Sequence, residues 1–185
     1  MHAINKNIKT VRIHGVLVSI KNVGVLITGR SGIGKSECAL ELLMRQYKLI
    51  ADDLVIVSLD DRGLYGAADP LIKGYLELHG PGIIKIKSHF GEKALANKKE
   101  IKMIIEFVDW ERYKNKEIRG FLKQQYRTLL GKELPLIKLP VSPGRDMASL
   151  VEVSVTSFLL KKSGNRETKE LEERILKRTN NAHAG

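Results

Sequence analysis

The chain has 185 residues, 43% of them hydrophobic and 29% charged, which suits one packed domain and excludes wholesale disorder. Its 32 basic and 21 acidic residues leave +11 at neutral pH, a balance that attracts nucleotide phosphates, nucleic acid or an acidic protein without choosing among them. The single cysteine, Cys38, excludes an internal disulfide and fits the cytoplasm, and no apolar stretch reaches the roughly 20 residues of a membrane span.

The opening residues Met1 to Lys6 lack the apolar core of a leader. Lys9–His14 and Val16–Ile20 alternate in part between apolar and polar and are read as strands on either side of Gly15. Val23–Thr28 is short, β-branched and apolar, as a buried strand is, and it ends in a glycine-rich turn. From Lys35 to Tyr47 the period becomes helical, with Ala39, Leu40, Leu42, Leu43 and Met44 on one face, and Cys38 falls in this stripe as a core residue rather than a nucleophile. Leu49–Ser58 is a further apolar run, broken by Asp52-Asp53. The turn Asp60-Asp61-Arg62-Gly63 leads to a hairpin partner at Tyr65–Ala68.

Downstream, Ile101–Val108 and Leu134–Leu139 are read as strands, and Asp146 as the N-cap of a helix whose apolar positions include Met147, Leu150, Val151, Val155, Phe158 and Leu159. Lys85–Lys102 and Tyr113–Lys132 are read as surface, and Arg166–Arg178 as a final charged helix. With no repeat and no break in composition, residues 1–185 are read as one α/β domain, a mixed β-sheet with helices packed on it.

The chemistry is carried by Gly29-Arg30-Ser31-Gly32-Ile33-Gly34-Lys35-Ser36, which matches G-x-x-x-x-G-K-[ST] in full. The glycines let backbone N–H groups converge on an anion, Lys35 places a charge on the terminal phosphates, and the Ser36 hydroxyl is placed to ligate Mg²⁺. The preceding strand and following helix supply the context that separates a phosphate loop from an incidental glycine turn, and the helix adds its positive N-terminal end. Asp52 and Asp53 close an apolar run where a strand would deliver them beside this loop. Neighbouring strand residues point to opposite sides, so one carboxylate serves as a base and the other as a metal partner or structural support. A solvated turn is the plain alternative.

The order and spacing of His14-Gly15-Val16, Gly29–Glu37, Ala51-Asp52-Asp53, Leu76–Ile84 and Leu139–Arg145 resemble the catalytic domain of the bacterial HPr kinase/phosphorylase family, over residues 9–179. The glycine-rich run after Glu77 is the more specific part of that resemblance. It implies a P-loop kinase-like fold and an ATP-dependent, Mg²⁺-requiring kinase that phosphorylates a serine of the phosphocarrier HPr. It further implies reversal with inorganic phosphate to release pyrophosphate, and a homohexamer. On matching positions, Lys35 would sit on the phosphates, Ser36 and Glu77 would hold Mg²⁺, and Asp53 would be the base. His14 and Arg119 would complete the catalytic group, and Pro140-Val141-Ser142-Pro143-Gly144-Arg145 would form a loop tied to the reverse reaction.

The family usually has arginine at His79, an acid at Lys85, a base at Ser142 and asparagine at Asp146, and members usually carry an additional N-terminal domain. A small-molecule kinase of related fold, or an ATP-sensing module without transfer, are the alternatives. Lys85, Lys87, Lys93, Lys98, Lys99 and Lys102 offer an electrostatic target for an acidic protein, most of them as solvated charges. With 5% aromatic residues there is little for bases of a nucleic acid to stack on, so neither nucleic acid nor membrane is expected as a partner.

Overall fold

A computed structural model describes residues 9–112 and 124–164. The apolar run Val23–Thr28 forms strand β3, buried at every position. It lies between β2 (Val16–Ile20), which is antiparallel to it, and β9 (Lys98–Asp109), which is parallel. Burial on both faces is why these strands are continuously apolar rather than alternating. Beyond β2 lies β4 (Lys48–Ala51). Beyond β9 lie β11 (Lys132–Val141), parallel to it, and β10 (Gln125–Leu129), which closes a hairpin with β11.

A second group of strands, β1 (Lys9–His14), β5 (Leu54–Asp60) and β6 (Gly63–Ala68), joins the same sheet through the start of β9, where Tyr65 pairs with Glu100 and Ala67 with Lys98. The two-residue period of β3 and β9 therefore serves two cores. Val25, Ile27, Met103, Ile105 and Phe107 pack with the helices α1 (Lys35–Met44) and α3 (Met147–Lys162). Leu26 and Ile104 belong to the other core, with Val55, Val57, Leu64 and Leu136. The expected mixed sheet with helices on it is what forms, with the β1–β5–β6 layer covering the face the helices leave open.

Helix α1 ends at Met44, short of the expected Tyr47, because Gln46 turns to φ 66 and the N–H groups of Gln46 and Tyr47 bond back to Leu43 and Leu42. Met44 was expected on the apolar face but is 69% exposed. Asp146 caps α3 as expected, accepting from the Ser149 N–H at 2.8 Å. The Arg45 guanidinium then ties α1 to α3 through Asp146, Ser149 and Glu152.

Two segments expected as surface are more structured than that. Lys85–Lys102 contains α2 (Ile86–Phe90), whose Ile86 is fully buried, and the start of β9. Within it, Lys87, Lys98 and Lys102 face Glu92, Asp60 and Glu100, so the run is not a bare basic patch. Of Tyr113–Lys132, residues 113–123 lie outside the described residues and β10 occupies Gln125–Leu129. The charged helix expected at Arg166–Arg178 lies outside them too. Among the described residues no helix is long and apolar enough to cross a membrane.

Candidate active site

The phosphate loop leaves β3 at Gly29, where φ is +148 and an added Cβ would stand 2.7 Å from the Phe107 carbonyl oxygen. Only glycine allows the loop to lie this close to β9. Gly34, at φ +98, reverses the chain into α1, so Lys35 and Ser36 open the helix and the cleft faces its N-terminal end. Lys35 is 6% exposed; its ammonium donates to the carbonyls of Gly29 (3.2 Å) and Arg30 (2.9 Å) and stands 3.3 Å from His14 Nε2. Desolvation pushes its pKa down, opposed by attraction to Asp52, Asp53 and Glu37.

Register brings His14 to the loop. β1 pairs with β5 so that His14 lies opposite Leu54, and the Gly15 N–H donates to the Asp53 carbonyl at 3.0 Å, locking two turns together. His14 Nδ1 then stands 3.0 Å from Asp53 Oδ1. A neutral imidazole satisfies both contacts in one tautomer, donating from Nδ1 to Asp53 and accepting at Nε2 from Lys35. The result is a chain Asp53–His14–Lys35, with Asp53 61% exposed at the mouth.

The two aspartates part as neighbouring residues must, although they sit in the turn between β4 and β5 rather than within a strand. Asp52 is 6% exposed and accepts from Ser36 Oγ (2.9 Å) and from the Glu77 N–H (3.3 Å). Burial pushes its carboxyl pKa up, and those hydrogen bonds work against the rise. Asp53 occupies φ 62, a left-handed conformation that aspartate and asparagine tolerate better than most residues.

Glu77 comes from a two-stranded sheet, β7 (Tyr75–Leu78) and β8 (Gly82–Lys85), whose inward Leu76 and Leu78 pack into the helical core and whose alternation turns Glu77 outward. His79 Nδ1 meets the Glu37 carboxylate at 3.0 Å, joining this hairpin to the first turn of α1. A cleft of about 150 Å³ collects His14, Lys35, Ser36, Asp52, Asp53 and Glu77. Its hydroxyl and carboxylate donors are all oxygen and few, which fits Mg²⁺, a hard ion usually held by one or two carboxylates together with substrate phosphate. Among the described residues no group of three or more His, Cys, Asp or Glu side chains forms a metal cage of its own.

Other expected site residues lie elsewhere. Arg119 is outside the described residues. Val141, Ser142 and Pro143 face a separate groove beside Arg30 and Gly32 rather than the cleft, while Arg145 donates to the Pro140 carbonyl at 2.8 Å and lies 5.5 Å from the Trp110 ring centroid. Cys38 is buried, its thiol pKa pushed up to about 12 by desolvation, as suits a core residue. Reading the residues singly missed Asp109, which grips the Arg30 guanidinium at 2.8 to 3.2 Å, and the neighbouring Trp110. Their position just past an apolar strand was the available signal, because sites gather at the carboxyl ends of parallel strands.

The chain is similar to known proteins over most of its length. The chain is 45% identical over 170 residues to the HPr kinase/phosphorylase of Geobacter sulfurreducens, an alignment covering 91% of this chain and 53% of the relative. It is 42% identical over 168 residues to the HPr kinase/phosphorylase of Bacillus mycoides, covering 90% and 54%. The chain thus spans about half the length of these curated relatives. A solved structure described as the Hpr(Ser) kinase/phosphatase from Coxiella burnetii superposes with a TM-score of 0.76 at 33% identity, covering 87% of this chain and 98% of that one. The profile of the HPr serine kinase C-terminal domain matches residues 5–175, and the chain belongs to that family.

Proposed function

We propose that the protein is an ATP-dependent, Mg²⁺-requiring kinase that phosphorylates a serine of HPr and reverses the transfer by phosphorolysis. The observation that carries this reading is the His14–Asp53 pair, 3.0 Å apart and largely exposed at the mouth of the phosphate loop. A carboxylate at that position is open to a hydroxyl presented by a protein, which could not enter a closed pocket.

A serine hydroxyl is a poor nucleophile at neutral pH, and Asp53 takes its proton as the oxygen attacks the terminal phosphorus. His14, donating from Nδ1, fixes the orientation of the accepting carboxylate. Lys35 must give up loop carbonyls for phosphate oxygens, moving its charge from Gly29 and Arg30 to the transferring group. Ser36 and Glu77 would hold Mg²⁺, with Asp52 orienting the Ser36 hydroxyl from behind. When bound, the ion offsets phosphate charge.

In the reverse direction an oxygen of inorganic phosphate attacks the phosphoserine phosphorus, the P–O bond to serine breaks, and protonated Asp53 returns the proton. Pyrophosphate and free serine are the products. Arg119 and the Pro140–Arg145 loop belong to this proposal by family resemblance, as do the cytoplasmic location and the homohexamer. A monomer by light scattering would remove the hexamer.

The test is incubation with ATP, Mg²⁺ and HPr, with intact mass of HPr as readout, followed by excess phosphate. Transfer followed by reversal is expected. HPr that gains no phosphoryl group would remove it as the substrate, and an irreversible product would restrict the protein to kinase activity.

A further inference from the structure

The segment Pro140–Arg145 is tied to itself. Pro140 and Pro143 restrict its backbone, the Arg145 side chain donates to the Pro140 carbonyl at 2.8 Å, and the Arg145 N–H donates to the Ser142 carbonyl at 3.2 Å. A loop closed in this way takes its place from its two ends. One end is β11, held in the sheet by β9 and β10. The other is Asp146, the N-cap of α3, whose carboxylate is gripped from another element.

The grip comes from Arg45, which follows α1 and closes its last turn by donating its N–H to the Glu41 carbonyl. Arg45 Nη2 donates to both Asp146 oxygens, at 3.1 and 2.9 Å, and Nη1 donates to Ser149 Oγ at 2.9 Å and pairs with Glu152. Ser149 Oγ donates in turn to Asp146 Oδ2, and Tyr47 OH holds the other Glu152 oxygen at 2.6 Å. Helix α1 therefore opens from the phosphate loop at one end and anchors Pro140–Arg145 at the other. Val141, Ser142 and Pro143 lie beside Arg30 and Gly32, so this anchor helps to set the spacing between the two loops.

We propose that Arg45 is a positioning residue for phosphorolysis, holding the Pro140–Arg145 loop against the phosphate loop through Asp146. The proposal rests on the reading of that loop as part of the reverse reaction, and names what holds it in place. Here the anchor is a full ion pair, because an aspartate stands where the resembling family usually has asparagine. A guanidinium fork on a carboxylate fixes direction as well as distance. ATP-driven transfer draws instead on Lys35, Ser36, Asp53 and Glu77, which line a cleft that Arg45 does not enter.

The test compares the full chain with Arg45→Met, which keeps the apolar stem and removes the fork. At saturating ATP, phosphorylation of HPr should stay within about twofold of wild type. Phosphorolysis of phosphorylated HPr by inorganic phosphate should fall about ten- to a hundredfold, the scale of a misplacement of about 1 Å. Trp110, the only tryptophan of the chain, has the Arg145 guanidinium 5.5 Å from its ring centroid and so reports the loop directly. Its acrylamide quenching should change in Arg45→Met. Asp146→Ala breaks the anchor from the loop's side and should give the same split between the reactions, and the double variant should be no slower than the slower single one. Equal slowing of both reactions, undiminished phosphorolysis or unchanged quenching overturns Arg45 as a positioning residue. Arg145→Ala that leaves phosphorolysis intact would instead overturn the reading of the loop on which the proposal rests.

Discussion

Replacing Asp53 with asparagine isolates the base from everything else the residue does. Asparagine keeps the left-handed backbone at φ 62 and still accepts the His14 Nδ1–H, so neither the turn nor the imidazole tautomer has a reason to change. The carboxylate is 61% exposed, so no buried charge is removed and stability should stay within about 0.5 kcal/mol of wild type. What is lost is the proton acceptor, a contribution of about 10² to 10⁴ in rate, or roughly 3 to 5.5 kcal/mol of barrier. The assay is single-turnover phosphorylation of HPr by intact mass, with ADP affinity and Tm measured on the same preparation. Transfer slowed by at least about a hundredfold with ADP affinity within twofold is expected. A transfer rate within a factor of a few of wild type would refute Asp53 as the base, whatever else the variant did.

Asp52→Asn should separate stability from activity. Because burial raises the folded-state pKa of Asp52, its ionised form costs stability above the ordinary carboxylate range, and that cost fades as pH falls and the folded carboxyl takes up its proton first. The variant should therefore melt higher than wild type at neutral pH, with the gap narrowing toward pH 4, while its transfer activity drops; a lower Tm at pH 7 would contradict this. Phe107→Ala removes a fully buried ring beneath the phosphate loop and should cost about 3 to 5 kcal/mol in urea unfolding. Asp146 is held at about 2 by the Ser149 hydroxyl and N–H and by Arg45, so its contribution is present above the ordinary carboxylate range and lost as pH falls from about 4 to about 2. Asp146→Ala should lower the Tm at pH 7 and match wild type near pH 2, as followed by circular dichroism.

The parts of the site legible in the sequence are those whose physics is local. Gly29–Ser36 follows its strand and opens its helix without interruption, so the pattern of residues states the shape, and the Asp146 cap is decided within four residues. Asp52-Asp53 could be placed near the loop, and their opposed directions expected, but which aspartate was buried could not be read. That depends on the Ser36 hydroxyl and the Glu77 N–H, which come from α1 and from a hairpin 25 residues downstream.

His14 and Glu77 were singled out only through resemblance, since a lone histidine and a lone glutamate carry no periodic signal. The tertiary structure decided them through register, setting His14 opposite Leu54 and turning Glu77 away from Leu76 and Leu78. It likewise decided that β9 serves two strand groups and that Trp110 stands beside Arg30, 80 positions earlier in the chain. Local steric and hydrogen-bond preferences determined the phosphate loop from its own eight residues. The Asp53–His14–Lys35 chain exists because the antiparallel register of β1 on β5 sets His14 beside the turn that holds Asp53, and the groove at Trp110 because the parallel strands β3, β9 and β11, distant in sequence, end side by side.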